Sequence, residues 1–158
     1  MHETPKGTWT EDDFEQMGWH DCRVHALSFD PDAAEIPGSV ALDLDYILQW
    51  VHPEEGGRSF SFWVAPATLV FPGASDLVLH AALDGFMDLR IDGIRRAPIA
   101  VGPRRSPSFR WTLDGEFTLE LTARGFRQYL RAAPEHVTGQ SLPLDQRGGI
   151  SFDTQPYR

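Results

Sequence analysis

The chain has 158 residues, 41% of them hydrophobic, which suffices for one domain, 1–158, with its own core. Its net charge of −9 is uneven: residues 1–55 carry thirteen carboxylates against Lys6 and Arg23, whereas residues 56–110 are net +3. That balance lacks the clustered Lys and Arg that phosphate neutralisation needs, so it argues against nucleic acid and suits a basic protein partner.

No run approaches the roughly 18 apolar residues of a membrane span. The acidic start "MHETPKGTWTEDD" is not the basic-then-apolar order of a secretory signal, so a cytoplasmic protein is expected. A single cysteine, Cys22, excludes an internal disulfide and any Cys-x-x-Cys motif, and is expected to be a small buried filler. Thirteen arginines beside one lysine, with no asparagine, suggest a GC-rich bacterial genome.

In chain order, "TWTEDDFEQMGWHD" predicts a short helix near Phe14: Thr10 caps it, Glu11, Asp12 and Asp13 favour its positive end, and Gly18 stops it. Helical periodicity then gives way to alternation. A strand is expected from Val24 to Phe29. In "VALDLDYILQW", Val40, Leu42, Leu44, Tyr46, Leu48 and Trp50 fall on one face, and Ala41, Asp43, Asp45, Ile47 and Gln49 on the other. "SFSFWVA", "DLVLHA", "FMDLRID", "SFRWTL" and "FTLELTA" alternate likewise, and Asp114–Gly115 reads as a hairpin turn wanting positive φ. "FRQYLR" is a further strand, although 122–140 also suits a short helix.

About eight short strands with Pro and Gly breaks predict a mainly β, antiparallel sandwich or partly open barrel. Its expected core includes Val40, Leu42, Leu44, Phe60, Phe62, Leu77, Leu79, Trp111 and Leu119. The polar close "PEHVTGQSLPLDQRGGISFDTQPYR" reads as a loop able to wrap the sheet, with Leu142, Leu144, Ile150 and Phe152 as anchors.

Several groups invite a chemical reading. "GWHDCRVHALSF" gathers His20, Asp21, Cys22 and His25, but on an extended strand His25 lies about 13 Å from Asp21, too far for one ion. A metal-dependent hydrolase would therefore need His20 and Asp21 with Asp43 and Asp45. The bland alternative has Trp19 buried at the helix-to-strand corner, with His20 and Asp21 bonding the backbone there. Asp43 and Asp45, about 6.5 Å apart, also fit a glycosidase pair, but a solvated polar strand face is the simpler expectation. Serine elbows and phosphate loops are absent.

Arg95, Arg96, Arg104 and Arg105, with Arg110, flank "RRAPIAVGPRRSPSFR" and are candidates for an anion site, because guanidinium offers a bidentate fork. Trp63, out of phase with Phe60 and Phe62, is the candidate surface aromatic.

Together "WHDCRVHALSF", "LDLDYILQW", "FWVAPATLVF", "DLVL", "GFRQYLR" and "QSL" resemble a group of small bacterial β-rich proteins of unknown function with a Trp-His-Asp strand entry. In size, charge and β content the chain is also similar to acidic immunity proteins, a likeness that implies a neutraliser of a toxin and assigns no residue.

The expectation is a non-catalytic interaction module without cofactor, binding a basic partner through Asp12, Asp13, Glu15 and Trp63. A homodimer through an edge strand or Trp63 is a further expectation.

Overall fold

The computed structural model describes residues 5–30, 38–85, 87–100, 103 and 107–158. It is mainly β and antiparallel throughout. The strands are β1 Thr8–Thr10, β2 Cys22–Asp30, β3 Ser39–Val51, β4 Ser61–Phe71, β5 Ser75–Ala81, β6 Leu89–Ile99, β7 Ser108–Gly115, β8 Phe117–Ala123, β9 Arg127–Leu130 and β10 Glu135–Val137. The sequence suggested about eight; the two extra are the three-residue strands β1 and β10, too short to show alternation. Residues 127–130 are a strand rather than helix.

The expected helix is present as a single 3-10 segment, Glu11–Gln16. Thr10 and Asp13 form a reciprocal capping box at its start.

All ten strands join one hydrogen-bonded sheet, ordered β1-β9-β4-β3-β2-β6-β7-β8-β5, with β10 also on β4. Its two ends are unpaired with each other among the described residues, so the sheet is open. It is nonetheless curled. Four strand steps separate β4 from β7, about 19 Å in a flat sheet, yet the rings of Phe71 and Trp111 lie 5.6 Å apart. The joint is β2, which meets β6 over only Cys22–Val24 and carries a bulge between Val24 and Ala26. Beyond that point β2 follows β3 alone.

The core lies inside the curl, where Phe14, Trp19, Trp111 and Phe126 make edge and tilted ring contacts. Val40, Leu42, Leu44, Phe62, Trp111 and Leu119 are buried as expected. Phe60, Leu77 and Leu79 are exposed instead. Phe60 precedes β4 at the loop end of the β3–β4 hairpin, and both leucines sit on β5, an edge strand whose residues are all exposed.

Two details depart from simple alternation. A bulge between Ile47 and Gln49 shifts the phase of β3 against β4, so the inward series ending at Tyr46 does not continue to Trp50, which is exposed. Pro66 lies within β4, where its missing N–H is tolerated because β10 ends at Phe62–Val64 and β9 begins at Ala67, leaving Pro66 in the gap along that edge.

The Asp114–Gly115 connection is where expected, with Leu113 paired to Leu119. Its glycine serves a different purpose. Gly115 has no positive φ, but the carbonyl oxygen of Arg90 occupies the place a Cβ would take.

Candidate functional site

Asp43 and Asp45 project from the face of β3 opposite Leu42 and Leu44, as alternation requires, but that face is not solvated. Both are fully buried beneath the C-terminal segment 139–158, and the expectation of a polar exposed face is corrected. Burial alone would raise both carboxyl pKa values. The donors around them reverse it.

Asp43 accepts from Arg147 Nη2 (2.6 Å) and Nη1 (2.9 Å), Arg131 Nη2 (2.6 Å) and Ser151 N (3.0 Å). Asp45 accepts from Arg147 Nε, Leu142 N and His25 Nε2, each at 2.9 Å. Burial is the largest influence on each carboxyl, yet these bonds outweigh it and hold both below the ordinary Asp range. The same pairing holds the buried Arg147 guanidinium above its usual value against the desolvation that would lower it.

Two carboxylates thus meet two guanidinia, and Arg147 also donates to the carbonyl of Gly149 at 2.6 Å. Arg131 bonds Thr68 Oγ1, which donates to the carbonyl of Asp153. The cluster clamps the tail onto β3 and β4. Arg147 and Arg131 carried no signal in the sequence reading; arginines a hundred residues from an acidic pair become visible only in three dimensions.

His20 and Asp21 do not join this pair. The exposed His20 ring stacks on Trp50 (5.9 Å, 17°), with Nδ1 3.3 Å from the Asp92 carbonyl. Asp21 accepts from Gln140 Nε2 at 2.7 Å, at a position with φ 63°. Among the described residues no group of three His, Cys, Asp or Glu converges. Trp19 is buried at the corner, as read, with Nε1 on Gln128 Oε1 at 2.8 Å. Cys22 is fully buried and receives Ile47 N–H; burial pushes its thiol up to about 12.

The candidate anion residues are dispersed. Arg95 pairs with Asp114 at 2.8 Å. The Arg96 guanidinium lies over the rings of Phe14 and Phe109, with Glu15 at 3.4 Å. Arg110 bonds Glu120 and the Asp76 carbonyl. Arg104 and Arg105 lie outside the described residues.

Of the candidate partner residues, Asp12 and Glu15 are exposed on the short helix, whereas Asp13 is engaged by Lys6 Nζ and Thr10 N. Trp63 is half-buried, its ring stacked on His136 at 5.0 Å.

A different aromatic group is open. Trp50 touches His20, Phe60 and Phe62, and Phe60 touches His52. His20 and Gly18 separate two clefts, one of about 310 Å³ lined by Phe14, Glu15 and Asp92, the other of about 220 Å³ lined by Tyr46 and Trp50. The bulge in β3 turned Trp50 outward, which alternation alone did not reveal.

The fold and this site define an open, curled antiparallel module with a sealed ionic cluster on one face and an aromatic patch at one hairpin end. Compared with known proteins, the chain matches no family model, no curated protein and no solved structure.

Proposed function

We propose that this protein is a non-catalytic interaction module that binds a basic protein partner. The observation carrying this reading is the exposed His20–Trp50–Phe60 cluster beside a cleft bearing Glu15 and Asp92. Aromatic side chains on a half-open surface give contact area at low entropic cost, and carboxylates at their rim speed the approach of a cation-bearing partner. Such recognition is what a small acidic neutraliser of a basic toxin would use.

The metal-hydrolase alternative gains nothing from the carboxylate pair, because Arg147 occupies the oxygens that a metal would need. Protein captured from the source cell should include a basic partner whose retention falls with salt. Trp50→Ala should abolish retention, and Asp12→Asn with Glu15→Gln should slow association more than it speeds dissociation. Capture unaffected by Trp50→Ala, or turnover of a substrate without any partner, would end this reading. Asp13 is left intact in the test because it caps the helix.

A further inference from the structure

We propose that the cleft between the β4–β5 turn and the β8–β9 connection binds a small zwitterion of the amino-acid class, with one carboxylate and one ammonium group on an apolar body. The cleft has a volume of about 570 Å³, within the range that small ligands occupy. Pro72 and Gly73 of the first turn line one part of it. Arg124, Gly125 and Phe126 of the connection line another, with Arg127 at the start of β9 and Glu11 of the short helix completing it.

The charges of this cleft are uncompensated. In a protein of net charge −9, carboxylates outnumber guanidinia, and Arg95, Arg96, Arg110, Arg131 and Arg147 are each held by one. Among the described residues, the side chains of Arg124 and Arg127 are in no ion pair or hydrogen bond, and neither is that of Glu11. Three charges of both signs therefore line one cleft without neutralising each other. Gly125 makes room for the negative one. A Cβ there would lie 2.3 Å from Glu11 Cδ and 2.5 and 2.6 Å from its two oxygens, so the carboxylate rests against bare backbone.

These groups select the occupant by sign. A simple anion gains from the two guanidinia and is repelled by Glu11, and a simple cation meets the reverse. A zwitterion satisfies both, its carboxylate taking the planar N–H forks of Arg124 and Arg127 and its ammonium donating to Glu11. The rest of the lining, Pro72, Gly73, Gly125 and Phe126, has no side-chain donor or acceptor, so the rest of the ligand is apolar. The cleft shares no residue with the aromatic patch at Trp50, so the inference goes beyond the proposed binding reading.

Phenylalanine as the free amino acid is the probe, titrated to about 10 mM into the isotope-labelled full chain while NMR follows the amide signals of Gly73, Gly125 and Phe126. Saturable shifts with a dissociation constant of about 1 mM are expected. Hydrocinnamate, which lacks the ammonium group, and phenethylamine, which lacks the carboxylate, should each bind at least about tenfold more weakly, the equivalent of one charge-assisted contact. Arg124→Gln with Arg127→Gln should weaken phenylalanine binding at least about tenfold. Glu11→Gln should weaken phenylalanine about tenfold and leave hydrocinnamate bound no less tightly, an opposite response that a damaged fold would not produce. Gly125→Ala, whose new methyl pushes the carboxylate aside, should act like Glu11→Gln. No shift at about 10 mM, an analogue that matches phenylalanine, or a Glu11→Gln variant that keeps the full preference for phenylalanine over hydrocinnamate would overturn the proposal.

Discussion

Removing Arg147 tests the sealed cluster most directly. Its side chain is fully buried and donates three hydrogen bonds to the two carboxylates, with further bonds to the carbonyls of Gly149 and Leu44. Arg147→Met keeps the bulk and deletes the charge. Three charge-assisted bonds represent about 5–9 kcal/mol gross. Part is offset because the guanidinium no longer has to be desolvated, and a net loss of about 3–5 kcal/mol is expected at pH 7, since Asp43 then keeps only the Arg131 guanidinium and Asp45 is left with none. That is a large fraction of the about 5–15 kcal/mol of an ordinary domain.

The assay is urea unfolding followed by tryptophan fluorescence across pH. In the native protein both carboxyl pKa values lie below their unfolded value. Their contribution is therefore fully present above the unfolded pKa, about 3.9, and is lost as pH falls through the folded values. In the variant, burial is opposed by fewer donors, so protonation relieves the strained carboxylates. The stability gap between the two proteins should narrow below about pH 4. Asp45→Asn in the Arg147→Met background should recover part of the loss, since an amide oxygen still accepts Leu142 N–H. A cost below about 1 kcal/mol, or a gap constant from pH 7 to acid, would refute the account of the cluster.

Other outcomes follow from single contacts. Gly115→Ala should cost about 2 kcal/mol or more in denaturant unfolding, because the new methyl meets the Arg90 backbone, which has no flexible end to yield. Cys22 should resist thiol reagents at pH 8 while folded and react at once in denaturant, its thiol being buried and raised to about 12. Asp13→Ala should lower stability by about 1 kcal/mol through loss of the cap, whereas Asp12→Ala on the same helix should stay within about 0.5 kcal/mol.

The sequence by itself determined the elements that rest on local rules. Period-two alternation found β3 and the inward Val40, Leu42 and Leu44; Thr10 and the acids after it found the capped turn; Asp114–Gly115 found a hairpin. Tertiary structure decided what those rules cannot encode. Alternation assigns Asp43 and Asp45 to one face of a strand but is silent on what covers that face, and the cover is Arg147, more than a hundred positions away. Alternation also assumes an unbroken register, so the extra residue in β3 that turns Trp50 outward escaped it. Equal alternation in β4 and β5 implied equal burial. Position in the sheet separated them, because a strand between two neighbours and beneath a curled core buries both sides, whereas the last strand of an open sheet leaves Leu77 and Leu79 in water.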